Sequence, residues 1–148
     1  EPCKALWQMM FDFFKAEGIN NLIWVWTVET NDDAWYPGDE YVDMIGRDLY
    51  HKPDASWIAA EYEALQAKYP DKIVALSECG SVAGMTDQIT VGATWSFFMP
   101  WYDYTRTLST SGSEFANDEH EHANAAWWVG TMANPKVLTR DEMPNLKE

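Results

Sequence analysis

The chain has 148 residues and a formal net charge of −14, one domain's length and enough to bury a core. That acidity excludes nucleic acid and anionic membrane surfaces as natural partners, since no basic patch is present to displace counterions. No apolar run reaches the roughly 20 residues of a membrane span, and the first residues read as an amphipathic helix rather than a signal peptide.

Residues 4–17 are predicted to form a helix, because Leu6, Met9, Met10, Phe13 and Phe14 recur at helical spacing and Gly18 follows as a cap. Residues 21–27 are apolar on both faces, the pattern of a parallel strand buried between layers. Turn residues, Pro37 and Gly38 among them, fill the next stretch. Residues 44–49 read as a second strand. Pro53 and Asp54 then introduce a helix with Ile58, Tyr62, Leu65 and Tyr69 on one face. Residues 72–79 form a third predicted strand closed by Gly80, residues 94–99 a fourth, and residues 117–132 a helix containing Trp127 and Trp128. This cadence predicts an α/β fold with parallel strands. A complete eight-stranded barrel takes about 250 residues, so at most half of one is present.

The nine Trp, seven Tyr and six Phe exceed what a core of this size needs, since every buried indole N–H wants an acceptor. Flat rings suit a cleft that stacks on a neutral ligand such as a sugar. Side chains alternate along a strand, which puts Trp24 with Trp26, Asp48 with Tyr50, and Glu78 with Val74 and Leu76. The same rule groups Trp95, Phe97, Met99 and Trp101. Carboxylates, a phenol and indoles thus gather at strand ends, the edge where α/β proteins build sites. Glu78 closes an apolar run, where a carboxylate is costly without partners: it is either a satisfied ion-pair member or a nucleophile or acid/base group. Asp48 and Tyr50 read as a structural pair or as site residues, and Trp101 as core or as a platform.

No metal or cofactor is expected. The acidic and histidine residues from Asp118 to His122 lack the i, i+4 histidine spacing of a helical zinc site and read as a solvated helix start. Asp32, Asp33, Asp39 and Glu40 lack a calcium-loop pattern. Nothing in the sequence says that Cys3 and Cys79 are bonded.

Segment 35–50, running from Trp35 through Pro37, Gly38, Asp39, Gly46 and Asp48 to Tyr50, resembles the signature of glycoside hydrolase family 26, the β-mannanase family. The runs ending at Trp26, Gly80 and Trp101 are similar to that family's fifth, seventh and eighth strand motifs, in the right order, and the resemblance covers about residues 1–130. It implies that the whole chain, residues 1–148, is the C-terminal half, strands five to eight, of a (β/α)8 barrel. It also implies a retaining endo-acting hydrolase on β-mannan-type polysaccharide that acts outside the cytoplasm. Glu78 then falls on the nucleophile, Asp48 and Tyr50 on residues that order the sugar at the cleaved bond, and Trp101 on a sugar platform. Trp26 and Trp35 are further candidates for sugar contact. Arg47 stands where relatives usually carry an aromatic or aliphatic residue, and Cys79 where an apolar one is common.

The family's acid/base glutamate lies in a His-Glu pair ending strand four, and no such pair ends an apolar run here. A retaining mechanism needs two carboxyl groups about 5–5.5 Å apart. The resemblance therefore implies a partner, the N-terminal half of the same barrel; Glu29 is the only stand-in within the chain. The competing reading is a half-barrel that binds oligosaccharide or self-associates without catalysis.

Overall fold

The computed structural model describes residues 2–102 and 120–144. Helix α1 (Pro2–Ala16) leads to strand β1 (Val25–Val28), two short 3-10 turns (Asp33–Trp35 and Asp39–Tyr41) and strand β2 (Met44–Tyr50). Helix α2 (Ala55–Lys68), strand β3 (Ile73–Gly80), helix α3 (Met85–Thr90), strand β4 (Phe98–Pro100) and helix α4 (Ala125–Met132) follow. The four strands form one parallel sheet in the order β1-β2-β3-β4. The α/β class and parallel strands expected from the cadence are thus present. Helix α3 was not anticipated, and the observed β1 and β4 are shorter than the apolar runs containing them. The expected helix start near residue 117 lies outside the described residues.

One layer of core joins the sheet to the helices. Ile45, Leu49, Val74, Leu76 and Cys79 from the strands pack with Ile58, Tyr62, Leu65 and Tyr69, the face predicted for α2 and its C-terminal cap. Each fully buried large aliphatic side chain in such a layer contributes about 1.5–3 kcal/mol. Asp54 starts α2 by accepting hydrogen bonds from the Ser56 and Trp57 amides, an N-cap worth about 1 kcal/mol.

Helix α1 ends as predicted, with Gly18 at φ 74° and a pair of closing bonds, Ile19 N to Phe14 O at 2.9 Å and Gly18 N to Lys15 O at 3.2 Å. Its packed stripe differs from the expected one. Trp7, Phe11 and Phe14 lie against Trp24, while Leu6, Met9, Met10 and Phe13 are exposed. The helix is apolar on two sides, and periodicity alone does not say which one meets the sheet.

The register holds one irregularity. Gly46 pairs with Ala75 and Asp48 with Glu78, so β3 uses three steps where β2 uses two. Against β4 the same excess recurs between Leu76–Phe98 and Cys79–Pro100. Strand β3 therefore carries one extra residue relative to both neighbours, a bulge between Leu76 and Glu78.

Candidate active site

The bulge decides which side chains of β3 face away from the helices. Val74, Leu76 and Cys79 belong to the helix-side core, whereas the Ser77 hydroxyl donates to Asp48 Oδ1 at 2.9 Å and the Tyr50 hydroxyl to Glu78 Oε2 at 2.9 Å. Strict alternation grouped Glu78 with Val74 and Leu76. The extra residue reverses that and presents Ser77 and Glu78 together on the opposite face, beside Asp48 and Tyr50.

Two carboxylates, register partners on adjacent strands, therefore sit at the carboxyl ends of β2 and β3. Burial is the main force holding the Asp48 carboxyl above its ordinary value, with repulsion from Glu78 and Glu29 adding to it; the Ser77 hydrogen bond and Arg47 pull the other way. Burial, followed by the hydrogen bond to Glu78, also pushes the Tyr50 phenol upward. Tyr50 therefore stays a neutral donor at any pH the protein meets. Cys79, turned into the core, is pushed up to about 12 by burial and by Asp48 and is a packed thiol, not a reactive one.

Above the strand ends, His51 and Ser81 adopt φ 55° and 54°, a region non-glycine residues seldom enter. Each is tied down where its strand ends: His51 N donates to Gly80 O at 2.9 Å, and Ser81 N to His122 O at 2.9 Å. His122 is 8% exposed and stands edge-on to Tyr50, with ring centroids 5.6 Å apart. A Cβ on Gly80 would come 2.4 Å from His122 Nδ1 and 2.7 Å from Tyr50 Cδ1, so only glycine fits beneath the two rings. The expectation of a solvated helix start thus fails for His122, which is packed against the site. Asp118 lies outside the described residues. No group of metal-ligating side chains occurs among the described residues.

The other candidates disperse. Trp101 follows β4, half-buried, with its amide donating to Cys79 O at 2.8 Å and its ring against Tyr102. Trp35, 56% exposed, ends a 3-10 turn beyond β1. Trp26 is not brought to the cleft face: it is buried against Trp7 and Tyr36, with its indole N–H directed to Asp32 Oδ2 at 3.3 Å. Trp95 likewise turns into the core, against Tyr62 and Gln88. Glu29 is held by Arg47 at 3.0 Å, and the same guanidinium reaches Val28 O and Glu61, so this carboxylate is engaged on the helix side rather than offered to Glu78. Cys3 and Cys79 are both free. Sequence reasoning overlooked Ser77 and His122. The first ended an apolar run and was not weighed, and the polar run hid the second.

The Glycosyl hydrolase family 26 profile matches residues 1–128. A mannan endo-1,4-β-mannosidase A from Piromyces sp. is 30% identical over 98% of this chain and 22% of its own length. Among solved structures, the family 26 domain of an endo-β-mannanase/endo-β-glucanase from Prevotella bryantii superposes with a TM-score of 0.76 at 40% identity, over 94% of this chain and 40% of that one. A β-mannanase from a symbiotic protist of the termite Reticulitermes speratus, complexed with gluco-manno-oligosaccharide, gives 0.71 at 36% identity over 95% and 41%. The chain thus spans about a fifth of the curated relatives and two fifths of the solved ones. These neighbours are (β/α)8 barrels, of which the parallel sheet here corresponds to a portion. The chain belongs to glycosyl hydrolase family 26.

Proposed function

We propose that residues 1–148 form the nucleophile-bearing half of a retaining β-mannan endo-hydrolase. The observation that carries this reading is the Tyr50–Glu78 hydrogen bond at the carboxyl ends of neighbouring parallel strands, in a family 26 chain whose relatives are named mannan endo-1,4-β-mannosidases. Glu78 attacks the anomeric carbon and forms a glycosyl-enzyme bond as the leaving oxygen departs. Tyr50 orients the attacking carboxylate, and Asp48 orders the sugar at the cleaved bond. Trp101 and Trp35 supply faces for neighbouring sugars; Trp26, buried beneath α1, does not.

The acid/base glutamate comes from the N-terminal half of the barrel, which protonates the leaving oxygen and then activates water. The exposed stripe of Leu6, Met9 and Phe13 on α1 supports such a partner. So does an apolar groove of about 730 Å³ lined by Trp95, Phe98, Trp128 and Met132. The working enzyme meets its polymer outside the cytoplasm or in the cell envelope.

The test is reducing-sugar release from β-mannan by the 148-residue chain alone and by the chain joined to a family 26 N-terminal half, each with Glu78→Ala. Activity only in the joined protein, abolished by Glu78→Ala, is expected. Glu78-dependent activity of the chain alone overturns the division of roles. Self-association with saturable oligosaccharide binding and no activity in either form favours the non-catalytic reading.

A further inference from the structure

Each of the two site strands carries one carboxylate and the hydroxyl that serves the other strand's carboxylate. Tyr50 on β2 donates to Glu78 on β3, and Ser77 on β3 donates to Asp48 on β2. Behind Ser77 stands a third hydroxyl, Thr27 Oγ1 on β1, 3.2 Å from Ser77 Oγ. Because Ser77 has a single hydroxyl proton and gives it to Asp48, Thr27 must be the donor in that contact. The chain of bonds therefore runs in one direction, Thr27 to Ser77 to Asp48, across three strands.

The passage exists only because position 46 lacks a side chain. A Cβ on Gly46 would lie 2.5 Å from Ser77 Oγ and 2.9 Å from Thr27 Oγ1, closing the gap between β1 and β3. The bulge supplies the other half of the arrangement by turning Glu78 to the face that Ser77 already occupies. A glycine and an extra residue, on different strands, thus set both carboxylates and their hydroxyl donors on one face.

We propose that Ser77, backed by Thr27, is a positioning residue of the site: its hydroxyl fixes the Asp48 carboxyl beside Glu78 and keeps the two carboxylates on separate donors. This deepens the role in sugar ordering given to Asp48 above and rests on that reading. The other charged and titratable groups around Asp48 are Glu78 and Cys79 on β3, Tyr50 and Arg47 on β2, and Glu29 beyond β1. None of them is altered by changing Ser77 or Thr27.

The experiment follows the Asp48 side-chain carboxyl by 13C NMR titration, together with the pH profile of mannan hydrolysis, in the complete barrel containing this chain. Ser77→Ala is expected to raise the Asp48 midpoint by about one pH unit, since a lone donor to a carboxylate is lost. It should also lower kcat/KM by about tenfold and move the acidic limb of the profile upward. Thr27→Val, which keeps volume but removes the proton donor, is expected to give a smaller shift of the same sign and serves if Ser77→Ala does not fold. In an Asp48→Asn background, Ser77→Ala is expected to add nothing further. An unchanged Asp48 midpoint in folded Ser77→Ala or Thr27→Val overturns the proposal, as does an undiminished Ser77→Ala effect in the Asp48→Asn background. If the midpoint shifts but the unsubstituted protein hydrolyses no mannan, the functional reading fails while the coupling of Ser77 to Asp48 stands.

Discussion

Tyr50 and Glu78 bond at 2.9 Å although they are not register partners: Tyr50 pairs with Gly80, and Glu78 with Asp48. The phenol reaches back diagonally along β3, which fixes one carboxylate oxygen. Tyr50→Phe keeps the ring against His122 and deletes only the donor. The expected result, in the joined barrel, is a fall in kcat of about tenfold to a hundredfold with thermal unfolding nearly unchanged. Steady-state kinetics and a melting curve on the same sample check it; unaltered kcat would show that the bond does not serve the chemistry.

Gly80→Ala tests the packing under that ring. The added methyl meets His122 and Tyr50 at impossible distances, so one ring must move. Overpacking of this kind costs about 1–3 kcal/mol, and the displacement falls on the residue that orients Glu78. Activity is expected to drop further than stability. A second substitution, His122→Ala, opens space beside the methyl and should recover part of the loss of stability in urea unfolding.

The raised Asp48 carboxyl has a signed consequence for stability. Between its ordinary value of 3.8 and its higher folded midpoint, the folded protein keeps a proton that the unfolded chain has released. Stability therefore falls as pH rises through that window. The contribution is fully present below 3.8 and lost above the folded midpoint. Asp48→Asn removes this slope, so denaturant unfolding of mutant and parent from acid to neutral pH should give curves that diverge across the window; parallel curves would contradict the assignment.

Cysteine reactivity separates the two thiols. Cys3 is exposed, while Cys79 is buried and its thiol pushed up to about 12. Iodoacetamide at mildly alkaline pH is expected to label Cys3 alone in the folded protein and both residues in urea. Peptide mass spectrometry reads the result directly, and rapid labelling of Cys79 in the native state would mean that the core layer beneath Glu78 opens.

Much of this arrangement was legible in the sequence. The helix face of Ile58, Tyr62 and Leu65 was visible because their spacing of four and three residues and an Asp54 cap agree. The strands were visible as short apolar runs, and Glu78 as a carboxylate where one is expensive. Faces were less legible. Alternation assumes that every strand advances in step with its neighbours, and β3 does not, so Ser77 and Glu78 were assigned to opposite sides. Trp26 sat on the rule's correct face with Trp24, but that face turned out to be the one covered by α1. On α1 itself, two apolar stripes competed, and contact with Trp24 favours the aromatic one. His122 lay in a charged run whose composition says nothing about being folded back over Gly80.

The bulge in β3 makes the direction of Glu78 a matter of parity rather than of chemistry. Counting from Val74, which faces the helices, unbroken alternation would carry position 78 back to the helix side, and the one extra residue before it is what turns the glutamate outward. A single-codon deletion of Ser77 would restore in-step pairing and still leave the glutamate opposite Leu76 and Cys79, facing away from the helices. What such a shortened strand loses is the hydroxyl that serves Asp48, so the extra residue adds a donor to the site without changing which way the carboxylate points relative to Leu76 and Cys79.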